Sequence, residues 1–141
     1  MQPIFTLPME VRDYECDLQG IVNNAVYQNY NDCRSAFIAS LGIEFAELHA
    51  RGIDVVVAQL SMRFKVPLRP GDKFEVRLAL EKQGLRYVFH QDIVRLIDEK
   101  RAEKDATYQK ELLSLRAQTD IVAIINGRLS DCPELNEKFG L

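Results

Sequence analysis

From Asp54 to Val66 the even positions Val56, Ala58, Leu60, Met62, Phe64 and Val66 are all apolar, while the odd positions carry Gln59, Ser61, Arg63 and Lys65. A period of two is the mark of a strand with one buried face, so a strand is expected over Asp54–Val66 with its even side in the core. Lys73–Lys82 repeats the pattern, with Phe74, Val76, Leu78 and Leu80 set against Glu75, Arg77 and Glu81. Gln83-Gly84 reads as a hairpin turn into a strand over Arg86–Asp98. There the apolar set shifts from Tyr87, Phe89 and Ile93 to Val94 and Leu96, which implies a bulge or burial on both faces. A further strand is expected over Glu111–Ile125, where Leu113, Leu115, Ala117, Thr119, Ile121, Ala123 and Ile125 share one side. Ile4–Tyr14 alternates loosely and reads as a first strand. The charged stretch Glu99–Lys110 lacks Gly and Pro and reads as an extended hairpin tip.

The period changes in one place. Val26, Tyr30, Cys33, Phe37 and Leu41 recur at steps of four and three, the spacing of one buried helical face. Asn23 or Asn24 can cap this helix, and Gly42 can end it in a left-handed conformation. Shorter helices are expected over Glu44–Ala50 and in Ser130–Leu141, where Pro133 suits a first helical position. One amphipathic helix and one sheet, each with a single apolar face, must cover each other, which predicts an α+β domain. A sheet wrapped on one helix keeps open edges, so pairing of two copies through an edge strand is expected.

Composition narrows the function. The 141 residues have room for one domain, 1–141, and are 47% hydrophobic and 28% charged, with a net charge of -3. That charge argues against a general nucleic-acid binder. Three cysteines without a CxxC pair and two histidines are too few for a zinc site, so no metal is expected. Scattered cysteines suit a reducing compartment, and no apolar run approaches the ~20 residues of a membrane span or forms a signal peptide. A cytoplasmic location is expected.

The chemistry concentrates in Tyr14–Tyr30, Y-E-C-D-L-Q-G-I-V-N-N-A-V-Y-Q-N-Y, which sets Asp17 seven residues before Asn24. A carboxylate beside a helix start couples a base or nucleophile to first-turn N–H groups that lack intrahelical partners and can hold an oxyanion. That pairing suits acyl transfer. The same residues have plainer readings. Asp before Gly commonly bonds its own turn, and Asn24 is explained by capping alone. Cys16 has no histidine nearby and is discounted as a nucleophile. His49 and His90 read as structural, and Asp32 and Arg34 as solvated or interface ion pairs.

The motif D-x-x-G-I-V-N-N-x-x-Y, the helix after it and the turn P-L-R-P-G-D resemble the 4-hydroxybenzoyl-CoA thioesterase family of hotdog-fold proteins, over about Phe5 to Pro133. The resemblance implies a five-stranded antiparallel sheet wrapped around one long central helix near Val26–Leu41. It also implies a homodimer with active sites at the subunit interface, often assembled into homotetramers. By position, Asp17 matches the catalytic carboxylate, and the Asn24 backbone N–H matches the group that polarises the thioester carbonyl. Many relatives place histidine at or next to the Asn23-Asn24 pair, so this chain lacks a titrating partner for Asp17. Arg86 falls near basic positions that contact coenzyme A phosphates. Tyr27 reads first as core or interface and second as lining for the acyl pocket. Gln59 and Ser61 read as solvent-facing, or as lining of the substrate tunnel that this strand borders in a hotdog dimer.

The function so implied is hydrolysis of an acyl-CoA to a free acid and coenzyme A, without a cofactor, membrane or nucleic-acid partner. Two alternatives stay open: a thioesterase for acyl carrier protein, with Arg63, Lys65, Arg69 and Lys73 as a basic rim, and a module that binds an acyl thioester without cleaving it.

Overall fold

The computed structural model describes residues 2–23, 26–27 and 33–141. Its strands are β1 (Phe5–Glu10), β2 (Ile53–Phe64), β3 (Lys73–Gln83), β4 (Arg86–Arg95), β5 (Leu112–Ile125) and β6 (Arg128–Ser130). They form one sheet in the order β1-β3-β4-β5-β2, with β6 paired to β5, and every pairing is antiparallel. The helices are α1 (Cys33–Ser40), α2 (Phe45–Ala50), α3 (Glu99–Ala102) and α4 (Pro133–Phe139), and Val26 and Tyr27 are helical as well. This is the expected α+β hotdog arrangement of sheet and helix, with a short sixth strand added.

The core lies where the alternating faces of β3 and β4 meet α1. Phe74, Val76, Leu78, Phe89 and Ile93 have no exposed surface. Phe37 of α1 packs against Phe5 (5.6 Å between ring centroids) and Phe89 (6.5 Å). Phe139 of α4 stacks on Phe37 from the far end (6.2 Å), and Asn136 Oδ1 accepts a bond from the Tyr87 hydroxyl at 2.5 Å. Burial pushes the Tyr87 phenol up to about 12. Tyr30, expected on the same helical face, lies outside the described residues.

Three expectations change. First, β2 does not keep one phase. Ile53, Val55 and Val57 pair with Ile125, Ala123 and Ile121, on the helix side. A register shift between Val57 and Gln59 then brings Leu60, Met62 and Phe64 to that side, opposite Thr119, Ala117 and Leu115. One extra residue on a strand reverses every side chain beyond it. Val56 therefore points to the outer face with Val122, not to the core. Nor is β2 well covered: Val56, Val57, Leu60 and Phe64 are 44 to 53% exposed. Second, Glu99–Lys110 is not an extended tip. It folds into α3 and a 3-10 turn, Ala106–Gln109, whose starts are capped by Asp98 and Asp105. Third, the expected five-stranded sheet gains β6: Asn126 and Gly127 both adopt positive φ (50° and 81°) and close a two-residue turn from β5 into it. Asn-Gly is the favoured pair for that turn.

The segment between β4 and β5 grips the 67–72 turn. Asp72 is fully buried. Its carboxylate accepts bonds from the Tyr108 hydroxyl (2.5 Å), the Arg69 N–H (2.8 Å) and the Arg101 guanidinium. Arg101 also donates to the Pro70 carbonyl (2.6 Å), and the Arg95 guanidinium lies 3.9 Å over the Tyr108 ring. A buried carboxylate held by a cation and two further donors is fully compensated.

Candidate active site

The gripped turn holds both ends of the loop that carries Asp17. Ahead of the loop, Val11 N–H donates to the Asp72 carbonyl and Gly71 N–H to the Val11 carbonyl, each at 2.9 Å. After it, Val22 N–H donates to the Leu68 carbonyl at 2.9 Å, and Leu68 N–H donates to the Tyr27 hydroxyl at 3.0 Å. The loop closes on itself through an isolated Cys16–Val22 bridge and a bond from Asp17 N–H to the Ile21 carbonyl (2.9 Å). Gly20 makes this closure possible, because its φ of +72° is a left-handed value that a side chain would disfavour.

Asp17 is exposed at the tip. Its Oδ1 accepts the Gln19 N–H at 2.8 Å, so the carboxylate also shapes its own turn. Oδ2 has no hydrogen-bond partner among the described residues. The flanking Tyr14 and Leu18 are exposed apolar side chains. Cys16 is turned partly inward, and burial together with the charges of Asp13, Glu15, Asp17 and Asp72 raises its thiol. A thiol so disfavoured as thiolate is a poor nucleophile, in line with its discount.

Beyond the loop, the Asn23 carbonyl accepts the Val26 N–H at 3.0 Å, the first turn of the helical segment. Asn24, expected to offer its N–H to an oxyanion, lies outside the described residues, as does Asp32. Arg34 reaches inward to Gln91 (3.4 Å) and Thr119 (3.2 Å), both fully buried on the helix side of the sheet.

Tyr27 is buried and borders a cavity of about 240 Å3 between the Asp17 loop and the end of β2. Ile21, Val22, Phe64, Pro67 and Ser114 complete most of its wall, and the exposed Lys65 stands at the rim. The Tyr27 and Phe64 rings meet edge to face at 5.4 Å. Tyr27 thus lies with the Asp17 loop.

Gln59, Ser61 and Arg86 do not join them within one chain. Gln59 and Ser61 pair with Asp120 and Gln118 on the opposite face of the sheet. Arg86 donates there to Asp120 (2.8 Å) and Gln59 (3.3 Å). Ser114 was not marked by any sequence pattern. It falls beside a register shift between Ile93 and Val94, where β5 carries one residue more than β4, and only pairing reveals which way it points.

Residues 11–134 match the family described as the thioesterase-like superfamily. The chain belongs to that superfamily. Two chloroplastic acyl-acyl carrier protein thioesterases of Arabidopsis thaliana are 44% identical to it over 78 residues and 39% identical over 92. These matches cover 55% and 64% of this chain but 41% and 49% of the relatives, so the chain spans about half the length of the proteins it matches. Among solved structures, a hypothetical protein of Aquifex aeolicus superposes with a TM-score of 0.73 at 27% identity, covering 95% of this chain and 98% of the other. A 1,4-dihydroxy-2-naphthoyl-CoA thioesterase of Synechocystis superposes with a TM-score of 0.75 at 20% identity, covering 97% and 96%, and shares the fold. As in any member of the superfamily, site and substrate must be argued from the chain's own residues. Among the described residues, no helix is long and apolar enough to cross a membrane.

Proposed function

We propose that this superfamily member hydrolyses an acyl-CoA thioester in the cytoplasm, with Asp17 as the group that carries the reaction. The observation that supports this most is the placement of Asp17: an exposed carboxylate, one oxygen unpartnered among the described residues, at the tip of a loop that leads into the helical turn at Val26. Asp17 either draws a proton from an attacking water or attacks the carbonyl itself to form an acyl-enzyme anhydride. In both routes charge develops on the carbonyl oxygen. The backbone N–H of Asn24, the residue that the motif singles out, is assigned to stabilise it, an effect worth roughly 3 kcal/mol per donor in related settings. The D-x-x-G-I-V-N-N-x-x-Y motif supports a mechanism like that of the 4-hydroxybenzoyl-CoA thioesterase family, without carrying over that substrate. No metal or redox cofactor enters the scheme.

The working unit in this proposal is a homodimer or a pair of dimers. β2 is an edge strand whose helix-side Val57, Leu60 and Phe64 are about half exposed, a combination that a second copy of the same edge would cover. A partner's outer face could then bring Gln59, Ser61 and Arg86 to the site, with Arg86 near the coenzyme A phosphates. The alternative substrate, an acyl group on acyl carrier protein, is favoured by the Arabidopsis matches and by the exposed Arg63, Lys65, Arg69 and Lys73. Thiol release from one acyl group presented on coenzyme A and on the carrier separates the two. Faster turnover on the carrier would reassign the substrate, and no thiol release from either would leave only a binding module.

A further inference from the structure

Two exposed apolar features stand at opposite ends of β2. At the Phe64 end is the Asp17 loop, whose tip presents Leu18 wholly to solvent, with Tyr14 exposed on the same loop. At the Ile53 end is an open hollow of about 540 Å3, walled mostly by Phe45, Ala46, Val55, Val56 and Ile124. The 12 residues of β2 separate these ends by roughly 36 Å, at about 3.3 Å per residue, so the tip of one chain cannot fill its own hollow.

A second copy changes that. When an edge strand pairs antiparallel with its own copy about a two-fold axis, the end of one strand lies beside the start of the other, on the same face. Full overlap of β2 with its copy sets Phe64 opposite the partner's Ile53 and brings each loop tip to the partner's hollow. The half-exposed Val57 and Leu60 lie between the two, so tip, row and hollow form one apolar band that is complementary to itself. A two-fold interface needs that self-complementarity.

The hollow also carries a pair of side chains. His49 Nδ1 lies 2.5 Å from Asp54 Oδ1. With the Nδ1 proton directed to that carboxylate, Nε2 keeps its lone pair, and none of the described residues binds it. On the surface of one chain such a contact contributes little. Beside Asp17 of a second chain it gains a task. A water between Asp17 Oδ2 and Nε2 donates one proton to each and turns a lone pair outward, the orientation that attack on a carbonyl needs.

We propose that Leu18 of each copy seats in the hollow of the other, and that the partner's His49, oriented by the partner's Asp54, holds the attacking water against Asp17. The inference rests on the acyl-thioester reading above and selects its water route. The water oxygen bonds the carbonyl carbon while Asp17 takes one proton; the carbon–sulfur bond then breaks, and the departing thiolate takes that proton from Asp17.

The seating is tested without catalysis. The double variant Leu18→Cys/Ala46→Cys, in a Cys16→Ser background, is treated with a short bismaleimide and run under denaturing conditions. It is expected at twice the 16.2 kDa chain mass, and each single variant at the chain mass. Leu18 and Ala46 are both exposed, so these two changes spare the fold. Should Cys16→Ser fold poorly, the parent background serves, with the single variants reporting any link through Cys16. The role of His49 is tested by mixing. Asp17→Asn and His49→Ala dimers are each expected to show a kcat at least ~10-fold below the parent, with the dimer mass unchanged. Co-expressed, they should recover about one quarter of the parent's activity, because half of a random mixture is mixed dimer and each mixed dimer holds one intact site. A monomeric parent, a double variant that stays at the chain mass, or, with an active parent, a mixture no more active than its components would overturn the inference. Cross-linking as expected without thiol release by the parent would uphold the seating and remove the hydrolase reading.

Discussion

β2 and β3 carry the same alternating pattern and meet opposite fates. β3 lies between β1 and β4, and its Phe74, Val76 and Leu78 have no exposed surface. β2 lies at the edge of the sheet, and Val56, Val57, Leu60 and Phe64 keep 44 to 53% of theirs. Alternation states which face of a strand is apolar; it does not state what covers that face. On β3 the cover is α1 of the same chain. On β2 the cover assigned here is a second copy, and the uncovered row ends at Phe64, the wall of the cavity beside Asp17. The sheet edge and the candidate site are therefore parts of one surface.

That contrast can be broken by substitution. Leu78→Ala should destabilise the chain by about 2 to 5 kcal/mol in denaturant titration, because a fully buried leucine leaves a cavity. A comparable loss is expected where the site is anchored. Arg101→Met strands the buried Asp72 carboxylate and should destabilise by about 3 kcal/mol, with Tyr108 and the Arg69 N–H as its remaining donors. The edge should behave otherwise. Leu60→Glu is expected to leave the stability of the isolated chain within about 0.5 kcal/mol, while sedimentation at micromolar concentration shows monomer in place of dimer. A parent chain that already sediments as a monomer would remove the second copy from the account. The smallest effect concerns Cys16. Burial and four nearby carboxylates raise its thiol, so its alkylation should be slower than that of a free cysteine at pH 8. The rate should still be climbing at a pH where the free thiol has levelled off.

Most of the fold was legible because it depends on periods. The helix-side residues of β3, the switch to helical spacing at Cys33 and Phe37, Gly42 past the helix end and Pro133 at the start of α4 all follow from local rules. The errors arose where one residue changes the phase. At Ala58 a single extra residue turned Val56 outward, and period counting across it cannot see the break. Glu99–Lys110 has no local pattern because its order comes from Arg101 and Tyr108 gripping a turn some 30 residues away in sequence, with Arg95 stacked on Tyr108, contacts that no local pattern encodes. Asn126-Gly127 is a plain hairpin signal, but the strand that follows it, β6, has only three residues and too little alternation to mark it as a strand. For the site, the loop of Asp17 was legible from its motif. Its neighbour Ser114 was not, since it meets Tyr27 across 87 positions of sequence. Gln59 and Ser61 share one face, as their alternation implied, and Arg86 meets them there, but it is the face turned away from Tyr27.

The central claim is that Asp17 carries the reaction. Its most direct test is the steady-state rate of thiol release by Asp17→Asn and by the parent, on the best acyl-CoA substrate found. The amide keeps the side chain's shape and can still accept the Gln19 N–H, but it is neither a base nor a nucleophile. The account predicts a kcat at least ~100-fold lower, with an unchanged melting temperature and retained coenzyme A binding. Equal kcat for Asp17→Asn and the parent would contradict it.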